Sequence, residues 1–281
     1  MPFVSDDPNM LDDWLVIGPA APAPRTTRLL GETVQLWIDP EGTPQCRLAD
    51  RPLTVQSRYG YLWACPSGNP ARPLFDFPEY SEPGRRTIDC GGIGVAVSGL
   101  RVIENFLDMA HFPFVHADYL GKVPHTEVAQ YQVQVEPATG EIWATDCRFW
   151  QPRASAAHDS SGSEVLYKYR VMQPFSAMLY KSSFRAGELD AIGLFLQPVD
   201  DEHVIAHTML ACFDDDSTDA ELIAFQHTIF GQDKPILENH AFKRMPLEGR
   251  AETPTRGDTS SVTYRRWLRE RGMRFGVRAA A

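Results

Sequence analysis

Between residues 126 and 213 the chain repeats one pattern, in which apolar and polar side chains alternate along a short run that a turn then closes. The runs are TEVAQYQVQVE (126–136), EIWATDCRFW (141–150), EVLYKYRVM (164–172), SAMLYKSSF (176–184), AIGLFLQPV (191–199) and EHVIAHTMLACF (202–213). Alternation with period two puts one face of each run against a core. Six such runs in succession read as an antiparallel meander. After Phe213 the acidic DDDSTDAE leads into a helical tract from about 219 to 244, interrupted at Gly231 and Pro235. A sheet followed by a long helix predicts an α+β fold, with the helix laid across the sheet.

Ahead of the meander the character differs. Residues 29–49 form a hairpin: Val34, Leu36 and Ile38 share a face, and Asp39-Pro40-Glu41-Gly42 makes the turn. A third strand is expected over 58–66, with Tyr59, Tyr61 and Trp63 alternating, before a stretch rich in proline and glycine from Pro66 to Gly84. Residues 1–95 are therefore expected to be a small β module and a linker, and 96–281 the main domain. The Ser- and Gly-rich RASAAHDSSGSE (153–164) is expected to be a mobile loop near a pocket mouth. No internal repeat is visible.

Composition excludes several function classes. Lys and Arg number 27 against 37 Asp and Glu, a net charge of -10, so no positive field exists to hold nucleic acid or anionic lipid. No run reaches the roughly 18 to 20 apolar residues of a membrane span, and MPFVSDDPNMLDDW lacks a basic, apolar leader, so a cytoplasmic location is expected. Cys46, Cys65, Cys90, Cys147 and Cys212 fit no paired motif and read as reduced, buried thiols.

Chemistry concentrates in ENFLDMAHFPFVH (104–116). On a helix Asn105, Asp108 and His111 share a stripe, with Glu104 beside it. His116 would point roughly 140° from His111 on an ideal helix, but Pro113 breaks the helix and lets His116 return from a loop. Two imidazoles and one carboxylate form the facial set that holds ferrous iron with open positions. Asp233, placed between Gly231 and Pro235 as at an N-cap or turn, is the candidate carboxylate. The same histidines could instead be buried core residues, and His227 or His240 could replace a ligand. Glu104, Asp108 and Glu238 could be solvated charges, while His125, His158, His203 and His207 have no partner at ligand spacing.

The combined spacing N-x-x-D-x-x-H-x4-H resembles the mononuclear iron motif of Rieske non-haem iron oxygenases, in their monooxygenase and demethylase branch. QDKPILENH (232–240) and VTYRRWLRERG (262–272) are similar to later segments of that family. The resemblance implies a helix-grip catalytic domain, Fe(II) on His111, His116 and Asp233, and Asp108 as the carboxylate that bridges an iron-binding histidine to a Rieske cluster. Asn105 would lie near the iron. Family members carry Cys-x-His and Cys-x-x-His pairs for that cluster, yet the first histidine here is His111. The amino-terminal module then reads as a truncated Rieske-type domain without an Fe-S cluster. Electrons would come from NAD(P)H through a separate Rieske-containing reductase, with a glutathione S-transferase-like structural subunit as a further partner. The resemblance extends to methylxanthine N-demethylases, which implies conversion of 7-methylxanthine and dioxygen to xanthine and formaldehyde. An O-methyl or other small aromatic substrate, or a non-catalytic assembly role, stays open at this point.

Overall fold

The computed structural model describes residues 3–279 apart from 22, 153–161, 184, 186, 215 and 249–250. The expected loop at 153–164 thus falls mostly outside the described residues. A seven-stranded antiparallel sheet organises the molecule, in the order β8 (Arg86–Val95), β14 (His203–Cys212), β13 (Leu189–Asp200), β12 (Ser176–Ser182), β11 (Ser163–Gln173), β10 (Ile142–Gln151) and β9 (Gln132–Val135). Six strands follow the expected meander. The seventh, β8, pairs with β14 from Val95↔Val204 to Arg86↔Cys212, so the sheet starts ahead of the expected division at 95/96. Its register carries Gly91, Gly92 and Gly94, which weakened its alternation in the sequence.

Four helices frame one face of this sheet: α2 (Gly99–Phe106), α3 (Phe112–Val115), α4 (Asp219–Glu238) and α5 (Thr259–Glu270), after a short α1 (Pro8–Leu11) near the start. The long helix α4 begins with a capping box between Thr218 and Glu221 and runs without interruption to Glu238. The break expected at Gly231 and Pro235 does not occur. Pro235 lies within the last turn, where it removes one ladder bond. Along β8 the helix is tied by His227 Nε2 to Cys90 O (2.6 Å), Lys234 Nζ to Gly94 O (2.7 Å) and Ala96 N–H to Glu238 Oε1 (2.9 Å). These contacts also show that His227 and Glu238 are structural.

The other face is covered by the amino-terminal module, which forms two small sheets. One has the order β1 (Leu15–Pro19), β7 (Tyr61–Cys65), β6 (Thr54–Arg58); the other is β2 (Arg25–Leu29), β3 (Glu32–Ile38), β4 (Pro44–Leu48), β5 (Arg51–Pro52). Instead of one strand over 58–66 there is a tight hairpin, with Tyr59 and Gly60 at positive φ in its two-residue turn. Nor is the Pro/Gly-rich stretch a free linker. Leu74, Phe75 and Phe77 are buried with Tyr61, Trp63, Met178, Tyr180, Phe195 and Met209 in a second core. Phe195 is its hub, with ring centroids 5.2 Å from Trp63, 5.6 Å from Phe75 and 5.9 Å from Tyr61. Gly193 makes room for that ring, because a Cβ there would lie 2.6 Å from it. No helix among the described residues is long and apolar enough to cross a membrane, and the five cysteines are free and buried. Phe195→Ala should lower unfolding stability by about 3–5 kcal/mol; a urea midpoint equal to wild type would refute the assigned coupling of module and sheet.

Candidate metal centre

The histidine segment departs from a plain helix. Helix α2, capped by Ser98, ends at Phe106, so Asp108 and His111 lie beyond it in the turn that follows. A one-turn helix, α3, starts after His111 and has Pro113 in its first turn. The proline does not break a helix here. It sits where its missing N–H has no partner to lose, and the chain has already left the helix at Leu107. His111 caps α3 at one end and His116 at the other, so both imidazoles project from a single turn and converge. Gly121 packs beneath this turn; a Cβ there would come within 2.5 Å of the Pro113 nitrogen.

The two imidazole Nε2 atoms are 3.1 Å apart, and Asp233 Oδ1 lies 3.4 Å from that of His111 and 3.1 Å from that of His116. One ligand atom from each residue falls within 4.8 Å of the others, and this is the one such group of three among the described residues. Asp233 reaches it from the body of α4, not from a cap or turn. His227 is held at Cys90, and His240 lines a different cavity, so neither takes a ligand's place.

The outer nitrogens are also engaged. His111 Nδ1 lies 2.9 Å from Asp108 Oδ2, whose Oδ1 accepts from Ala110 N–H at 2.7 Å. His116 Nδ1 lies 2.8 Å from Gln232 Oε1. Both partners are acceptors, so each Nδ1 carries the proton and each Nε2 presents a lone pair. Two lone pairs and a carboxylate oxygen therefore face one another, and Asp233 Oδ1 is buried without an aligned donor. Such a set fits a divalent cation, with the outer partners fixing tautomer and ring orientation. Burial opposes charge on His111, but the Asp108 and Asp233 carboxylates outweigh it and hold the imidazole at about 9. Burial would likewise raise Asp233, yet its contacts with the two histidines hold it at about 2.

Two cavities meet at this cluster. One, of ≈ 750 Å³ counted to its open mouth, lies between the sheet and α4 and is mainly apolar, with Phe106, Phe112, Leu194, Phe225 and Phe230 among its walls. The other, of ≈ 1450 Å³ counted likewise, opens beside α5 and is lined by Asp108 and His111 among charged groups including Arg101, Glu252 and Arg265. Asn105 borders both. Asp108 borders only the charged one.

With this geometry in hand, the comparisons decide the family. The family described as vanillate O-demethylase oxygenase C-terminal domain matches residues 95–273. The chain is 48% identical, over 95% of its length and 96% of the relative's, to the probable methylxanthine N7-demethylase NdmC of Pseudomonas sp. (strain TJI-51). The chain belongs to the Rieske non-haem iron oxygenase family. Its fold is shared with this family's solved members: NdmA of Pseudomonas putida CBB5 with caffeine superposes with a TM-score of 0.76 at 18% identity, covering 95% of this chain and 92% of the other. Dicamba monooxygenase bound to dicamba gives 0.75 at 14% identity, over 93% and 97%. For a Rieske oxygenase the missed residue is Gln232. No motif spacing points to it, because its partner His116 is 116 positions away. Asp233→Ala should abolish stoichiometric Fe(II) uptake, whereas Gln232→Leu should weaken it about 10- to 100-fold, measured by anaerobic metal titration. Unchanged uptake in both would remove Asp233 and Gln232 from the centre.

Proposed function

We propose that the chain is the oxygenase subunit of an N-demethylase that removes the N7 methyl group of a methylxanthine, with 7-methylxanthine yielding xanthine and formaldehyde. The observation that carries this reading is the His111, His116 and Asp233 cluster at an apolar, aromatic cavity, in a chain 48% identical to a probable methylxanthine N7-demethylase. His111, His116 and Asp233 would hold Fe(II), which would supply the activation of dioxygen, so that one oxygen atom could enter a methyl C–H bond and the other leave as water with two electrons and two protons from the reductant. The N-hydroxymethyl product then loses formaldehyde and regains a proton on nitrogen. Protein side chains do the positioning. Phe112, Phe225 and Phe230 exclude water and give a flat ring apolar faces, while Asp108 keeps the His111 ring turned toward the cluster.

The electrons are proposed to come from another protein, a Rieske-containing reductase fed by NAD(P)H. A Rieske cluster needs two thiolates and two imidazoles. The amino-terminal module has Cys46 and Cys65 but no histidine, and only five residues, Ala49 to Leu53, separate β4 from β6. Asp108 borders the charged cavity and not the apolar one, a placement suited to receive an electron donor on a different side from the substrate. A glutathione S-transferase-like structural subunit, and a place in the cytoplasm, complete the proposed assembly.

The deciding assay measures formaldehyde over a panel of methylxanthines and methoxybenzoates, with a Rieske-containing reductase and NADH supplied. Release from 7-methylxanthine is expected; release from methoxybenzoates alone would overturn the substrate assignment. Under one iron per ten chains in protein purified without chelators would overturn the enzyme reading in favour of an assembly role. Asp108→Asn should keep its iron and slow formaldehyde release at least about tenfold, and loss of iron from that variant would refute the role given to Asp108.

A further inference from the structure

Among the groups lining the apolar cavity beyond the metal cluster, Lys181 alone carries a charge, and nothing in the demethylation chemistry above uses it. It lies on β12, on the face shared with Leu179, opposite Tyr167 of β11 and Asp190 of β13. Its neighbours on the cavity wall are Tyr167, Leu179 and Ile192. The side chain is only 9% exposed. Among the described residues no hydrogen bond or ion pair holds its ammonium. The adjacent Asp190 carboxylate instead accepts the Phe213 N–H at 2.9 Å.

An ammonium that lines an apolar cavity without a protein partner becomes costly once water leaves that cavity, and proteins keep one chiefly where something else completes it. Burial pulls Lys181 down to about 8 despite the Asp190 charge, which still leaves the ammonium charged at neutral pH. Its place within the cavity narrows what the partner can be. Lys181 pairs with Asp190, and Ala191 with Ala211, so Lys181 stands at the edge of the sheet from which the chain passes into α4. Lys181 and the metal cluster line one cavity whose remaining walls are mainly apolar.

We propose that Lys181 is the specificity-determining contact of this oxygenase: its ammonium donates hydrogen bonds to an oxo or anionic oxygen on the edge of a flat ring whose methyl group faces the cluster. The inference rests on the demethylase reading and adds to it the feature the site selects. A ring with such an oxygen completes the ammonium. One without it leaves the charge buried and unpaired, so discrimination arises from the penalty as much as from the bond.

The experiment is anaerobic calorimetry on the iron-loaded protein with 7-methylxanthine and with 7-methylpurine, the same ring system without oxo groups. Lys181→Met should weaken 7-methylxanthine binding about 10- to 100-fold, leave 7-methylpurine binding equal or tighter, and keep the iron content unchanged. Lys181→Gln, which retains a neutral donor, should fall between wild type and Met. Loss of both ligands to the same extent would mean a structural role and overturn the proposal, as would unchanged 7-methylxanthine binding. Failure of the demethylase reading has a different signature. Wild-type protein that demethylates methoxybenzoates and binds no methylxanthine overturns the substrate class and this contact together, whereas a wild type active on methylxanthines with an unaffected Met variant overturns the contact alone.

Discussion

The centre depends on the acceptors that hold the outer nitrogens of two imidazoles. Asp108 takes the Nδ1–H of His111 and Gln232 that of His116, which leaves both Nε2 lone pairs facing inward. Without those acceptors either ring could turn or change tautomer and present a proton to its neighbour 3.1 Å away. Consecutive residues of α4 divide the work on His116, since Gln232 holds one ring nitrogen and Asp233 faces the other. A uniform helix delivers both contacts because residues one apart diverge by about 100° around its axis, wide enough to straddle an imidazole. His116, only 1% exposed, is thereby fixed from two sides.

Holding this much unsatisfied charge requires a stiff surround. Helix α2 is anchored to α5 and the segment before it by Arg101 and Arg265, which share the carboxylates of Glu104 and Glu252. Burial would raise Glu252, but the two guanidiniums hold it at about 2, so the network stays ionised near neutrality. Arg101 is fully buried, and removal of a carboxylate would strand its charge. The turn carrying Asp108 and His111 follows directly from that anchored helix. The same network borders the charged cavity, where Asp108 is reached from outside. Rigidity of the His111 turn and the walls of the charged cavity are thus built from one set of residues.

The legible parts of the sequence were those whose partners are near in the chain. Alternation exposed six strands of the meander, because pleating reports itself every second residue, and the spacing of Asn105, Asp108, His111 and His116 marked the histidine turn. Backbone geometry left a fainter mark in the sequence than did the polar residues themselves. Asp233 sits in the cluster, yet on an unbroken helix instead of a turn; Pro113 opens a short helix where a break was expected. Single-residue rules for glycine and proline speak to local cost, and tertiary packing of α4 against β8 outweighs it. Gln232 and Lys181 left no local trace at all. Their significance lies in contacts with residues distant in sequence or in the lack of any contact, and neither property has a period or a spacing.

The amino-terminal module shows how a segment without the family's cluster ligands keeps a physical reason to exist. Both faces of an antiparallel sheet this apolar must be covered, and α4 with its companions covers one. On the opposite face, Met178, Tyr180, Phe195 and Met209 would be open to water without Trp63, Phe75 and Phe77. Alternation then couples the two sides, since Leu179 and Lys181 interleave with Met178 and Tyr180 along β12, and Leu194 sits beside Phe195 on β13. The position of the cavity wall is therefore set from behind. Packing alone requires the module, because the register that places Lys181 on the cavity wall is pinned by the aromatic core beneath it.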